Sequence, residues 1–113
     1  MAADDVWILG IQMTKFGKHP DKDIIDLAAE ATFNALDDAG VTIFDMQVMA
    51  CGSQFASGIG PAIAKQIGQT GIPIYNVTSA CATGAMAVRT VYMSCPPPVA
   101  HRRRLSEVGR QQP

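Results

Sequence analysis

Two kinds of apolar patterning alternate along this 113-residue chain, and that alternation narrows the folds open to it more than any other feature. Short runs rich in β-branched and aromatic residues read as strands: "VWILGIQM" at 6–13, Gln47 to Cys51 within "FDMQVMACGSQ", and "IPIYNV" at 72–77. Segments of helical spacing separate them, at 23–39, 61–69 and 81–94. In the first of these, Ile24, Leu27, Ala28, Ala31 and Ala35 fall on one face, with Asp26, Glu30, Asn34, Asp37 and Asp38 opposite. Asp21 or Asp23 stands where an N-cap belongs, and Gly40 stands where helices end in a left-handed residue. Pro61 suits the first turn of the second helix, which ends near Gly68 or Gly71. The order β-α-β-α-β-α predicts an α/β fold, a mainly parallel sheet with helices packed on it, whose first strand is buried.

Composition sets the broad class. Apolar residues make up 48% of the chain and charged residues 17%, the balance of a globular domain rather than a disordered segment. No apolar run approaches the roughly 20 residues that span a bilayer. The acidic start "MAADD" does not match a basic signal or transit peptide, so the expected compartment is the cytoplasm. Three cysteines without regular spacing suggest reduced thiols, with no disulfide framework and no metal site. Residues 1–94 carry five Lys/Arg against nine Asp/Glu, which excludes a nucleic-acid footprint on the body. Residues 95–113, "CPPPVAHRRRLSEVGRQQP", combine a triple proline with four arginines, and are expected to form a disordered tail outside the folded part at 1–94.

The stretch with chemical promise is "IYNVTSACATGAMAV", residues 74–88, where a strand run gives way to small and hydroxylated residues around Cys81. A cysteine at the head of a helix sits near unsatisfied backbone N–H groups and the positive end of the helix dipole. Both favour the thiolate, the nucleophilic form. Ala80, Ala82, Thr83, Gly84 and Ala85 are small enough to let a substrate approach. The competing reading is a small, buried packing residue, because free cysteine is among the most buried residue types. Asn76, Thr78 and Ser79 divide in the same way, between shaping a site and forming a turn or cap. Other candidates carry less. "GSQFASGIG" lacks phosphate-loop and dinucleotide spacing, and Cys51 reads as packing at a strand end. Met46, Met49, Met86 and Met93 read as core or groove filler.

The segment "VTSACATGAMA", together with "ILGIQMTKFGKHPDKDIIDLAAEA", the "CGS" strand end and "TGIPIYNV", resembles the thiolase superfamily, most closely its sterol-carrier or lipid-transfer branch. The resemblance runs collinearly over about residues 6–94 and identifies the fold as the N-terminal portion of a thiolase-like domain. It implies that Cys81 attacks the thioester carbonyl of an acyl-coenzyme A. An acyl-enzyme forms, and the acyl group passes to coenzyme A or a carbon nucleophile, in thiolysis or condensation of a 3-ketoacyl-coenzyme A. Coenzyme A thioesters are then substrates, and no covalently bound cofactor is implied. Thiolases of this type also carry histidine motifs and a further cysteine in a second half. Here the histidines are His19, in the "GKHPD" loop, and His101, in the tail, and neither matches those motifs. The expectation is therefore a truncated thiolase-like chain. The alternative is a catalytically incompetent fragment that acts by binding a full-length thiolase or a partner subunit. The resemblance also implies a homo-oligomer or partner subunit, since such proteins associate near their nucleophiles.

Overall fold

The computed structural model describes residues 5–95, and the tail beyond Cys95 lies outside the described residues, as does His101. The chain runs α1 (Ile24–Ala39), β1 (Met49–Gly52), α2 (Ile59–Ile67), β2 (Ile74–Val77) and α3 (Thr83–Ser94). Short 3-10 turns occur at Ile43–Asp45 and Ala80–Ala82. Strands β1 and β2 are parallel, paired Met49 with Ile74 through Gly52 with Val77, and α2 makes the crossover between them. This is the α/β architecture that the alternation of periods predicts. No helix among the described residues is long and apolar enough to cross a membrane.

The capping chemistry fixes α1. Asp23 accepts from the Asp26 amide while Asp26 accepts from the Asp23 amide, a reciprocal box that satisfies two donors at the helix start. Gly40 closes the other end with φ 70°, in the left-handed region glycine occupies without cost. Helix α2 begins at Ile59, two residues before Pro61, and ends at Ile67, with Gly68 as its C-cap. Pro61 still falls in the first turn, where the amide it lacks has no helical partner to lose.

A small apolar cluster joins the α1–α2 pair to one face of the sheet. Ala29, Ile63 and Ile67 are its buried members, and Ile25, Ala28, Met49 and Cys51 pack against them. Because strand side chains alternate, Met49 and Cys51 face α2, while Gly52 turns to the other face and meets α3. A Cβ on Gly52 would lie 2.7 Å from Thr83 Cγ2 and 3.0 Å from the Thr83 carbonyl oxygen, so the strand ends in glycine where α3 presses on it. Gln66 Nε2 donates to Asp26 Oδ1 at 3.0 Å, tying α2 back to the start of α1.

Several expectations change. The inward face of α1 is centred on Ile25, Ala28 and Ala29, and Ile24 is exposed, because α1 packs against Ile63 and Ile67 of α2 rather than flat on a wide sheet. Met49 reaches the core, but Met86 and Met93 are exposed on α3. The largest correction concerns residues 6–13, which belong to no strand and expose Val6, Trp7, Ile8, Leu9, Ile11 and Met13. The segment lies against the C-terminal half of α1 instead of against a sheet edge. The Ile11 amide donates to Asp38 Oδ2 at 2.9 Å, and a Cβ on Gly10 would fall 2.7 Å from the Ala39 nitrogen. A strand exists only through its partner, and here the segment's contact is a helix.

Candidate active site

Cys81 stands in the 3-10 turn between the end of β2 and the first residue of α3. Ile74–Val77 form the strand, Thr78 and Ser79 leave it, and the chain reverses through Ala80. Ala80 has φ 47°, and it is the non-glycine residue among those described that adopts positive φ. That conformation brings Cβ close to the backbone and costs about 1–2 kcal/mol, so the surrounding structure must hold it. Thr83 does so. It is buried, its hydroxyl donates to the Ala80 carbonyl at 2.7 Å, and the same oxygen accepts the Ser79 amide at 2.8 Å. The Ala82 amide closes the turn on the Ser79 carbonyl at 2.9 Å. A sharp, strained turn from strand to helix, pinned by a buried hydroxyl, lifts the Cys81 side chain out of the fold.

Cys81 is exposed, which overturns the reading of a buried packing residue. Ala80, Ala82, Gly84 and Ala85 are exposed around it, so small side chains leave the sulfur open to approach. The Thr83 amide is taken by the Ala80 carbonyl, and the positive end of the α3 dipole lies at this end of the helix, where negative charge is favoured. Asn76 is a tether: its Oδ1 accepts the Gly60 amide at 2.8 Å and so anchors the start of α2 to β2. Gly60 lets α2 approach that closely, because a Cβ there would lie 2.6 Å from Ile74 Cγ2. Of the sequence candidates, Asn76 is a cap for another helix and Ser79 serves the turn through its backbone.

A hollow of about 180 Å³ opens at the C-terminal ends of the two strands, among Cys51, Ser53, Ser57, Asn76 and Thr78. This is the end of a parallel sheet at which α/β folds place their ligands. Cys81 is not one of its lining residues, but Thr78 is, three positions before it. Cys51 lies half-buried between this hollow and the core, and burial pushes its thiol above the ordinary range, which keeps it protonated. Cys51 thus packs, as its position at a strand end suggests. Cys95 donates weakly from Sγ to the Val91 carbonyl at 3.5 Å at the end of α3. His19 binds the Lys15 carbonyl through Nε2 at 2.7 Å and closes its own loop. Among the described residues no cluster of His, Cys, Asp or Glu is suited to a metal ion.

Thr83 is the residue holding this turn that sequence reading passes over, because it looks like one more small neighbour of Cys81. The signal was available in its spacing: a threonine three residues after Ala80 can return its hydroxyl to that carbonyl.

The fold and site thus define an α/β protein with an open cysteine on a constrained strand-to-helix turn. No family model matches the chain. Individual relatives do. It is 36% identical over 96 residues to an acetyl-CoA acetyltransferase of Methanothermobacter thermautotrophicus, covering 80% of this chain and 25% of that protein. It is 40% identical over 84 residues to non-specific lipid-transfer protein-like 2 of Caenorhabditis elegans, covering 71% and 20%. It is 41% identical over 88 residues to sterol carrier protein 2 of Homo sapiens, covering 74% and 16%. Through this segment the chain belongs to the thiolase-like family that these acetyltransferases and sterol carrier proteins represent. It spans a quarter or less of the length of these relatives.

Proposed function

We propose that this chain handles acyl-coenzyme A thioesters through Cys81, in the manner of thiolysis or condensation of 3-ketoacyl-coenzyme A. The observation that carries the reading is the exposed sulfur on a turn that Thr83 holds in a costly conformation. Strain of this kind persists where a fold over-determines it, and such places cluster at functional sites. The relatives named acetyl-CoA acetyltransferase support acyl transfer as the chemistry.

In the proposed step, Cys81 Sγ bonds to the acyl carbonyl carbon while the carbonyl π electrons move to oxygen. Collapse of that adduct breaks the bond to the sulfur of coenzyme A. Coenzyme A leaves as the thiol after taking up the proton lost by Cys81, and the acyl group remains on Cys81 as a thioester. Attack of a carbon nucleophile on that thioester forms the new carbon–carbon bond, regenerates the cysteine and completes condensation. In thiolysis Cys81 Sγ instead attacks the 3-keto carbon, the C2–C3 bond breaks, and the C2 carbanion takes up the proton and leaves as the shortened thioester. A coenzyme A thiol then takes the acyl group from Cys81. The positive end of the α3 dipole favours the developing negative charge, and the exposed alanines leave room for the thioester.

Intact-protein mass spectrometry tests the first half of this reaction. After incubation with acetyl- or acetoacetyl-coenzyme A, the chain should gain one acyl group. The adduct should map to Cys81 and be absent from Cys81→Ala. No adduct under conditions where Cys81 reacts with iodoacetamide would remove acyl transfer from the reading.

A second reading is a thiolase-like chain that binds a full-length thiolase or another subunit and turns nothing over. The apolar exposure of residues 6–13 and of Val88, Tyr92 and Met93 on α3 favours it. In that case mixing with such a subunit should give a defined complex without steady-state release of coenzyme A from either acyl-enzyme step.

A further inference from the structure

We propose that the hollow at the C-terminal ends of β1 and β2 gauges chain length, receiving the hydrocarbon end of an acyl chain of about six carbons whose thioester carbonyl lies at Cys81. It rests on the acyl-transfer reading of Cys81 and adds the length of acyl chain that the site takes. The hollow is walled by the strand ends and by the turn into α2. Cys51 stands near the end of β1, Val77 ends β2 with Thr78 behind it, and Ala56, Ser57 and Ile59 lead into the helix. Its shape is therefore set by contacts within this segment rather than by an outer face.

Local bonds fix that shape. The Gly60 amide donates to Asn76 Oδ1 at 2.8 Å and holds the start of α2 beside β2. Ser53 Oγ accepts the Ala56 amide at 3.1 Å, and Gly58 turns the chain into α2 with φ 65°. Phe55, the aromatic residue of that turn, is 94% exposed, so it does not fill the space. The lining is graded. Cys51, Ala56, Ile59 and Val77 are half-buried and apolar, whereas Ser57 and Thr78 are exposed hydroxyls at the rim. A ligand with an apolar end and a polar carbonyl matches that gradient when the apolar end enters first.

Volume and reach set the length. A cavity of about 150 Å³ holds benzene, so a hollow of about 180 Å³ takes about six or seven carbons. Thr78 stands three residues before Cys81, a span of at most about 11 Å, and the reversal at Ala80 shortens it further. A run of about six carbon–carbon bonds, each about 1.5 Å, covers a similar distance. Such a chain has its end among Cys51, Ile59 and Val77 while its carbonyl reaches the sulfur. An acetyl group is too short to enter, and much longer chains overfill the hollow.

Cys51 reports on the hollow directly. In the full chain carrying Cys81→Ala, hexanoyl-coenzyme A at about ten times its dissociation constant should slow iodoacetamide labelling of Cys51 about ten-fold. Cys95 should be unaffected, and acetyl-coenzyme A should leave Cys51 unchanged. With Cys81 intact, site-mapped mass spectrometry gives the ratio of hexanoyl to acetyl adducts on its sulfur. Ser57→Trp, at an exposed rim position, should lower that ratio by about ten-fold or more, the scale on which a pocket discriminates by a methylene. Cys51 labelling that hexanoyl-coenzyme A does not slow would overturn the inference, as would equal protection by acetyl-coenzyme A. So would a wild-type chain that takes acetyl but not hexanoyl groups, or a ratio that Ser57→Trp leaves unchanged. Protection of Cys51 without any adduct on Cys81 would instead remove the acyl-transfer reading and support the hollow as an acyl-binding site.

Discussion

Replacing Thr83 by valine isolates what holds the Cys81 turn. Valine keeps the branched shape that packs on Gly52 and removes only the hydroxyl that accepts the Ser79 amide and donates to the Ala80 carbonyl. Each of those bonds contributes about 0.5–1.5 kcal/mol net, so about 1–3 kcal/mol is lost. The left-handed conformation of Ala80 costs about 1–2 kcal/mol, a similar amount, so the turn should relax once the bonds are gone. Thermal melting should fall by about 4–8 °C for each kcal/mol in an ordered region of this size. Site-resolved alkylation should show Cys81 changing its rate, with Cys51 and Cys95 steady. Ala80→Gly supplies the companion measurement, because glycine adopts positive φ without strain. Combined with Thr83→Val it should recover part of the lost stability. A Thr83→Val protein with unchanged melting and unchanged Cys81 alkylation would refute the view that this hydroxyl holds the turn.

Other outcomes follow from the same contacts. Gly52→Ala should destabilise by about 1–3 kcal/mol in urea unfolding, because the new Cβ meets the Thr83 backbone oxygen, which cannot step aside. Cys51 should alkylate more slowly than Cys81, at a pH midpoint above the ordinary thiol range. Since the Cys51 thiol is raised in the folded chain, the unfolded thiol ionises first. The stability tied to it is complete below the unfolded value and is lost as pH rises past about 8.5, a loss that Cys51→Ala should remove. Asp26 runs the opposite way. Its bond from Gln66 and the capping bonds with Asp23 hold its carboxyl below the usual range, so its contribution is present above about pH 4 and fades as pH falls further. Acid titration followed by circular dichroism should show that limb weakened in Gln66→Ala.

Much of this architecture is legible in the sequence because it rests on local rules. Alternating periods give a parallel α/β arrangement without reference to any long-range contact. Asp23 and Gly40 bound α1 through bonds to neighbours a few residues away, which is why they can be read directly. Cys81 is legible as a candidate for the same reason, since a strand run, small residues and a helical pattern meet there. Helix starts are less secure: Pro61 marks the first turn of α2 but not its first residue, because Ile59 and Gly60 enter the helix ahead of it.

The chain alone determined that strands and helices alternate and that a cysteine stands where one strand passes into a helix. Tertiary structure decided whether each run obtained a partner. Residues 49–52 and 74–77 became strands because each supplies the other's hydrogen bonds, whereas 6–13, equally β-prone, found the end of α1 and stayed unpaired. It also decided that Cys81 is open rather than packed. That outcome depends on the Ala80 backbone and the Thr83 hydroxyl, joined only when the turn closes against Gly52. Residue preference is a property of each short segment, but pairing and exposure belong to the surfaces that segments find in each other.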